Sequence, residues 1–304
     1  MINVRLPLGT LFLLVGLVSG ASASEAIDRR TVEISLADYP RGAFDLELLH
    51  LSGTVTYRTW TEDRVEVTFV RVGTGKDLPE AETHRDSIRL GTSTAKRSIR
   101  IATLAWGFPD FWRAIDYVKR KVQPAMAHIV IRAPARVRAH LMTAYGSIAL
   151  KDVEGKIHAK SDQGAVLVQG AKGALELETS SGAIWIEGKL DARIRARTRS
   201  GTIRARECQG DLDFESKTGS LYVDYRILGR GDQHLWTDTG TIEVGVPLQS
   251  DIRFEMHASP DRITTSLNLS ATQHGAHRFS GVLNAPLCEM AIGTRSGKIR
   301  VSGR

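Results

Sequence analysis

The sequence predicts an all-β protein: a parallel β-solenoid of 18–19-residue coils carrying one short helical insertion. Three observations predict it. A glycine recurs every nine residues through the middle of the chain, and apolar residues stand two and four positions after each of these glycines. The third is a repeating phrase of small hydroxyls, glycine and an alternating strand: "TSSGAIWIEG", "TRSGTIRAR", "SKTGSLYVD", "TDTGTIEVG" and "TRSGKIRVSG".

The glycines run Gly146, Gly155, Gly164, Gly173, Gly182, Gly201, Gly210 and Gly219, with Ala192 at the one missing turn, where a residue is added. Gly240 and Gly297 continue the series, and their 57-residue separation reads as three steps of 19. The apolar pairs include Ile148/Leu150, Val166/Val168, Ile184/Ile186, Leu212/Phe214, Leu221/Val223 and Ile299/Val301. Alternation at period two marks strands with one buried face. Glycine at a corner permits a positive φ where the chain turns sharply. A fixed period means units stacked on units, because one coil cannot bury its own apolar side. Each coil should carry two strands, pairing in parallel with its neighbours about 4.8 Å away. Parallel crossovers favour the right hand. Ile148, Val166, Ile184, Ile203, Leu221 and Ile242 then form one buried column.

Residues 1–23 read as a signal peptide, with Arg5 as its positive end, "LPLGTLFLLVGLVSG" as its apolar stretch and Ala21-Ser22-Ala23 as its cleavage site. Gly9, Gly16 and Gly20 interrupt the stretch, which argues against a retained anchor. Export to the periplasm or cell surface follows. A single domain is expected from about residue 30 to residue 304. "SGTVTYRTW" and "RVEVTFVRV" extend the strand pattern toward the N-terminus, and residues 72–96 read as a polar loop. "TLAWGFPDFWRAIDYVKRKVQP", residues 103–124, is an insertion that reads as helical in its second half, with Asp110 suited to the N-cap and Pro124 to the stop.

Tandem Ser/Thr-Gly-x-Ile-x-Val strands behind a signal peptide resemble the bacterial "putative adhesin" β-strand-repeat family. So do "YPRGAFDLELLHLSGTVTYRTWTEDRVEV" and "RFSGVLNAPLCEMAIGTRSGKIRVSG", and the likeness spans roughly residues 40–304. It implies an exported β-solenoid of the envelope and supplies no catalytic residues. The aromatic stretch at 103–123 departs from that family's pattern.

Composition sets the partners. The chain is 42% hydrophobic and 25% charged, ordinary for a soluble globular protein. Without the signal it carries 40 basic and 34 acidic residues. That net charge of +6 favours anionic partners, such as an acidic polysaccharide or an anionic membrane surface. Export excludes nucleic acid. Two candidate contacts stand out. Stacking in register makes an outward column of Leu167, Trp185, Arg204 and Tyr222, with Arg204 in cation–π reach of both rings. The insertion places Trp106, Phe108, Phe111 and Trp112 beside Lys119, Arg120 and Lys121, which suits either a brace on the fold or an interfacial membrane contact.

The run "DARIRARTRSGTIRAR" reads as an ion-pair ladder: Arg195 between Glu176 and Asp213, Arg197 between Glu178 and Glu215, Arg206 between Glu187 and Asp224. Those arginines keep Asp211, Asp213 and Glu215 ionised, which suits no glycosidase dyad. No metal-ligand spacing, nucleophile elbow or phosphate cradle is present, so no cofactor or metal is expected. Cys208 and Cys288, set more than four coils apart by the 19-residue count, should remain buried thiols. The expected function is a non-enzymatic, adhesin-like scaffold or binding module of the envelope, contacting an envelope protein or polysaccharide. The alternatives are a β-helix enzyme acting on an acidic polysaccharide and a membrane-surface envelope protein.

Overall fold

The computed structural model describes residues 24–37, 44–95, 97–105, 125–226 and 231–304. The signal-peptide reading of 1–23 and the helical, aromatic part of the insertion, 106–124, fall outside these residues. Among them the protein is nearly all β, with one α-helix (Leu78–Asp86) and one 3₁₀ turn (Pro260–Arg262).

Two ladders organise the strands. The first runs Ser24–Ser35, Arg64–Gly75, Ala125–Pro134, Val55–Trp60, Ile148–Gln163, Val166–Ser181, Ile184–Ser200, Ile203–Cys208, Leu221–Tyr225, Ile242–Val246, Ile299–Gly303, Ile263–Thr265. All but its first two neighbour pairs are parallel. The second runs Ile88–Ala95, Ser98–Ala105, Phe44–Ser52, Val137–Tyr145, then the far halves of the three long strands. It continues through Leu212–Thr218, Gln233–Thr239, Cys288–Thr294, Ile252–His257, Arg278–Leu283 and Ser270–His274. Antiparallel strands close both ends of this ladder. The long strands, Ile148–Gln163, Val166–Ser181 and Ile184–Ser200, run through both ladders and join them.

The inward positions of both ladders form one hydrophobic cluster. Its spine is the expected column: Ile148, Val166, Ile184, Ile203, Leu221 and Ile242 are register partners in turn, and each is fully buried. Val55 and Ile129 lengthen it at one end, Ile299 at the other.

The corners explain the repeated phrase. Its first hydroxyl points inward and donates to the carbonyl of the glycine one rung earlier. Ser161 reaches Gly146 O at 2.9 Å, Thr179 reaches Gly164 O at 3.0 Å, and Thr237 reaches Gly219 O at 2.8 Å. Thr198, Ser216 and Thr294 repeat the bond. At these six turns a buried hydroxyl therefore satisfies a backbone carbonyl of the preceding rung. Positive φ is not the reason for every corner glycine. At Gly201 the backbone lies outside the left-handed region, and a Cβ would collide with the Gly182 carbonyl oxygen. Close approach of one turn to the next selects glycine there.

The structure corrects the expected order at both ends. Gly297 does not stand three steps beyond Gly240. Ile242, Glu243 and Val244 pair directly with Ile299, Arg300 and Val301, so the last rung inserts beside the 240 rung. Residues 252–265 lie outside it. At the other end Val55–Trp60 sits between Ala125–Pro134 and Ile148–Gln163, again out of chain order. Consequently Cys208 and Cys288 are only two or three rungs apart. Both are buried and free.

The expected polar loop at 72–96 is a second correction. It contains the end of the strand Arg64–Gly75, the helix and the strand Ile88–Ala95. Asp77 caps the helix, its carboxylate accepting the Glu80 N–H at 2.9 Å. Only Ala81 is buried on this helix, so no apolar period betrays it. It seats on Gly73 and Gly75, where a Cβ would strike its backbone. Beneath it the half-encircled Arg71 guanidinium ties the N-terminal strands together through Asp28 (2.6 Å), Asp86 (3.3 Å) and the Ile88 carbonyl (3.1 Å). Residues 103–105 belong to the strand Ser98–Ala105 rather than to the insertion, and Thr103 is buried.

Candidate functional site

On the first ladder, strand alternation turns Leu167, Trp185, Arg204 and Tyr222 outward as successive register partners. Leu167 and Trp185 are 41% and 43% exposed. The Arg204 guanidinium carbon lies 5.2 Å from the Trp185 ring and 5.0 Å from the Tyr222 ring. The cation is held between two aromatic faces, an arrangement that restricts the arginine while leaving its outer N–H groups available. The row continues into Glu243 and Arg300, which pair at 2.8 Å.

Beside Tyr222 lies a groove of about 400 Å³ lined by Arg204, Arg206, Arg300 and Arg304 together with Asp224 and Glu243. Gly245 leaves space at its floor, next to the Asp224 carboxylate and the Arg304 side chain. Four guanidiniums against two carboxylates give it a positive excess. Asp224 takes Arg304 as its ion partner, not the expected Arg206, because the register shifts after Ala205 and the last residue of the chain closes on this strand.

The second ladder carries the expected ion pairs. Arg193, Arg195 and Arg197 face Asp211, Asp213 and Glu215 across one strand gap, at 3.5, 2.7 and 3.1 Å. Partial burial pushes the Asp213 carboxyl up, but hydrogen bonds from His234 and Arg195 outweigh it and hold the group below the usual carboxylate range. Asp213, Glu215 and His234 bring three potential ligand atoms within 4.8 Å of one another, which is metal-like spacing. Arg195 and Arg197 already engage both carboxylates there and would oppose a cation. Glu178, the other expected partner of Arg197, bonds Lys160 at 3.1 Å.

Sequence reasoning missed one cluster on this ladder. His234, Trp236 and His257 converge around Gly293, although His257 is far from the other two in sequence. The alternation in "HLWTD" signals two outward rings. Nothing local signals the glycine and third ring that the inserted rung brings beside them. Trp106, Phe108, Phe111, Trp112, Lys119, Arg120 and Lys121, the insertion contact, lie outside the described residues.

No protein-family model matches the sequence, and no curated protein matches it. Solved structures do show similarity. A "putative adhesin" of Bacteroides fragilis is 10% identical with a TM-score of 0.36, over 92% of this chain and 98% of that one. A "putative lipid binding protein" of Parabacteroides distasonis is 12% identical with a TM-score of 0.38, over 90% and 96%. A "putative cell adhesion protein" of Clostridium sporogenes is 10% identical with a TM-score of 0.25, over 93% and 100%.

Proposed function

We propose that the chain is an exported, non-enzymatic binding module of the cell envelope. In this reading it is a single right-handed β-solenoid over about residues 30–304, and Leu167, Trp185, Arg204 and Tyr222 form its principal contact. The observation that carries the reading is the row itself. Outward strand positions normally take polar residues, yet this row exposes Leu167 and Trp185 and clamps Arg204 between two rings. Because it stands on strands rather than loops, little ordering entropy is lost when a partner docks. Arg204 and the arginine-rich groove beside it favour an anionic envelope polymer, whose acidic groups meet the guanidiniums while its apolar parts cover the rings. Ion pairing of Asp211, Asp213 and Glu215 supports binding over hydrolysis, since a glycosidase needs one carboxyl held protonated.

The test is affinity electrophoresis of the intact protein through gels containing alginate or polygalacturonate. Wild type should be retarded, and Trp185→Ser/Tyr222→Ser should migrate freely while keeping its circular dichroism. Equal retardation of the folded double variant, or free migration of wild type in both gels, overturns the reading.

A further inference from the structure

We propose that Trp236, seated against Gly293 and flanked by His234 and His257, is a second binding platform, one for an uncharged sugar ring. It stands on the second ladder and does not depend on the Trp185–Arg204–Tyr222 row. Strand pairing sets Trp236 opposite Gly293 and His234 opposite Ala291, and the next strand brings His257 to the far side of Gly293. A Cβ on Gly293 would collide with Trp236 Cζ3 and Cε3, on the edge of the six-membered ring. The indole can therefore lie on the sheet at this position only because no side chain occupies it. The His234 and Trp236 rings are nearly parallel, their planes 9° and their centroids 6.5 Å apart. His257, across Gly293 on the next strand but one, lies 6.3 Å from the indole and is tilted by 51°. Gly293 and Ala291 on the neighbouring strand thus leave room for a cluster of three rings.

The chemistry of the surroundings selects the ligand. An indole face is electron-rich, and the axial C–H side of a pyranose is its apolar, faintly positive complement. Hydroxyls around the sugar's edge then need hydrogen-bonding groups at the margin of the ring. Both histidines are oriented for that purpose: His234 Nδ1 lies 3.0 Å from Asp213, and His257 Nε2 lies 2.9 Å from Glu255. Each ring turns its opposite nitrogen away from its carboxylate.

The ionic groups nearby cancel. Asp213 pairs with Arg195, Glu215 with Arg197, Glu255 with Arg278 and Asp238 with Arg295. These four pairs are neutral in sum, in contrast to the arginine groove on the first ladder. A protein partner is disfavoured by the same groups, because the centres of protein interfaces are depleted in charged residues.

Saturation-transfer NMR on the intact protein tests this, using soluble hexasaccharides of glucose, mannose and N-acetylglucosamine, with oligogalacturonate as the charged comparison. At least one uncharged hexasaccharide should bind wild type more tightly than oligogalacturonate at this site. Trp236→Ala should weaken that binding tenfold or more, and Trp236→Phe should retain most of it. Gly293→Val, which displaces the indole without removing it, should resemble Trp236→Ala. Trp185→Ser should leave it unchanged, which separates this platform from the row on the first ladder. If Trp236→Ala does not fold, His257→Ala at the margin serves instead and should also weaken binding. The proposal fails if wild type binds no uncharged hexasaccharide, or if folded Trp236→Ala or its His257→Ala substitute binds like wild type. It also fails if the loss follows Trp185 instead. Concentration-dependent self-association abolished by Trp236→Ala would mark a protein interface and overturn it equally.

Discussion

Between Ile148 and Tyr225 the rungs follow one another in space in the order the chain makes them, whereas at both ends the chain overshoots and returns. At the C-terminal end it lays down Ile252–His257 and Ile263–Thr265 as outer strands, folds the antiparallel pair Ser270–His274 and Arg278–Leu283 onto Ile252–His257, and only then fills the gap with Cys288–Thr294 and Ile299–Gly303. At the N-terminal end Phe44–Ser52 and Val55–Trp60 are laid down early and are later enclosed by Ser98–Ala105 and Ala125–Pro134 on one side and the strands from Val137 on the other. The difference has a physical source. A middle rung is covered on both edges by its neighbours, but a terminal rung leaves unpaired N–H and C=O groups that invite other chains. Antiparallel strands cover three of the four ladder ends, and reaching them requires the chain to turn back. The longer loops this closes cost little, because closure entropy grows only with the logarithm of length.

The largest expected effect tests the middle. Ile184→Asp places a charge in the fully buried column and should lose roughly 4 kcal/mol or more, enough to abolish the melting transition. Trp185→Ser, one residue on and facing outward, should melt close to wild type. Equal damage from the two would break the assigned register.

The C-terminal order is tested by a cross-link. Glu243 and Arg300 are register neighbours, so Glu243→Cys/Arg300→Cys should oxidise to a disulfide and raise stability by roughly 2–4 kcal/mol. Under a sequential order these positions would be three rungs apart and no disulfide would form. Non-reducing electrophoresis of protease-cut protein decides between them.

An N-terminal corner gives a smaller, pH-dependent effect. His50 stands where the other corners carry a buried hydroxyl, and its ring meets Thr103 Oγ1 at 3.1 Å. Burial pushes its pKa down to about 4. Between its ordinary value near 6.5 and pH 4 the unfolded chain takes up a proton that the folded chain refuses. Stability should therefore fall by about 3 kcal/mol across that window and stay level with respect to this group above it. His50→Thr should flatten the dependence, as read by urea titrations at pH 4.5 and 7. Burial also pushes the His128 pKa down, so a smaller slope should remain.

The smallest effect belongs to the exposed ion ladder. Arg195→Gln should shift the melting temperature least of these variants, and high salt should erase the difference. A large, salt-independent loss would mean that the ladder holds the register rather than decorating it.

The column from Ile148 to Ile242, the outward row through Arg204 and the pairing of Arg195 with Asp213 were all legible from spacing alone. Each depends on a side-chain period of two and a rung length of 18 or 19, both local quantities. The helix Leu78–Asp86 was not legible, because its docking depends on two glycines of a strand and on one buried alanine instead of an apolar stripe. The pairing of Asp224 with Arg304 was equally hidden, since the partner arrives from the chain's last residue.

What the sequence by itself determined is therefore the unit: its length, its buried face, and the hydroxyl and glycine that recur at alternate corners. Those follow from alternation, from carbonyls that must be satisfied, and from turns that pack too closely for a Cβ. Only the tertiary structure decided the order in which the terminal units stack. A rung's apolar face fits equally well against any other rung, so the repeat carries no address. The address comes from closing the open edges. It is this closure that sets Gly293 against Trp236 and brings His257 to its side.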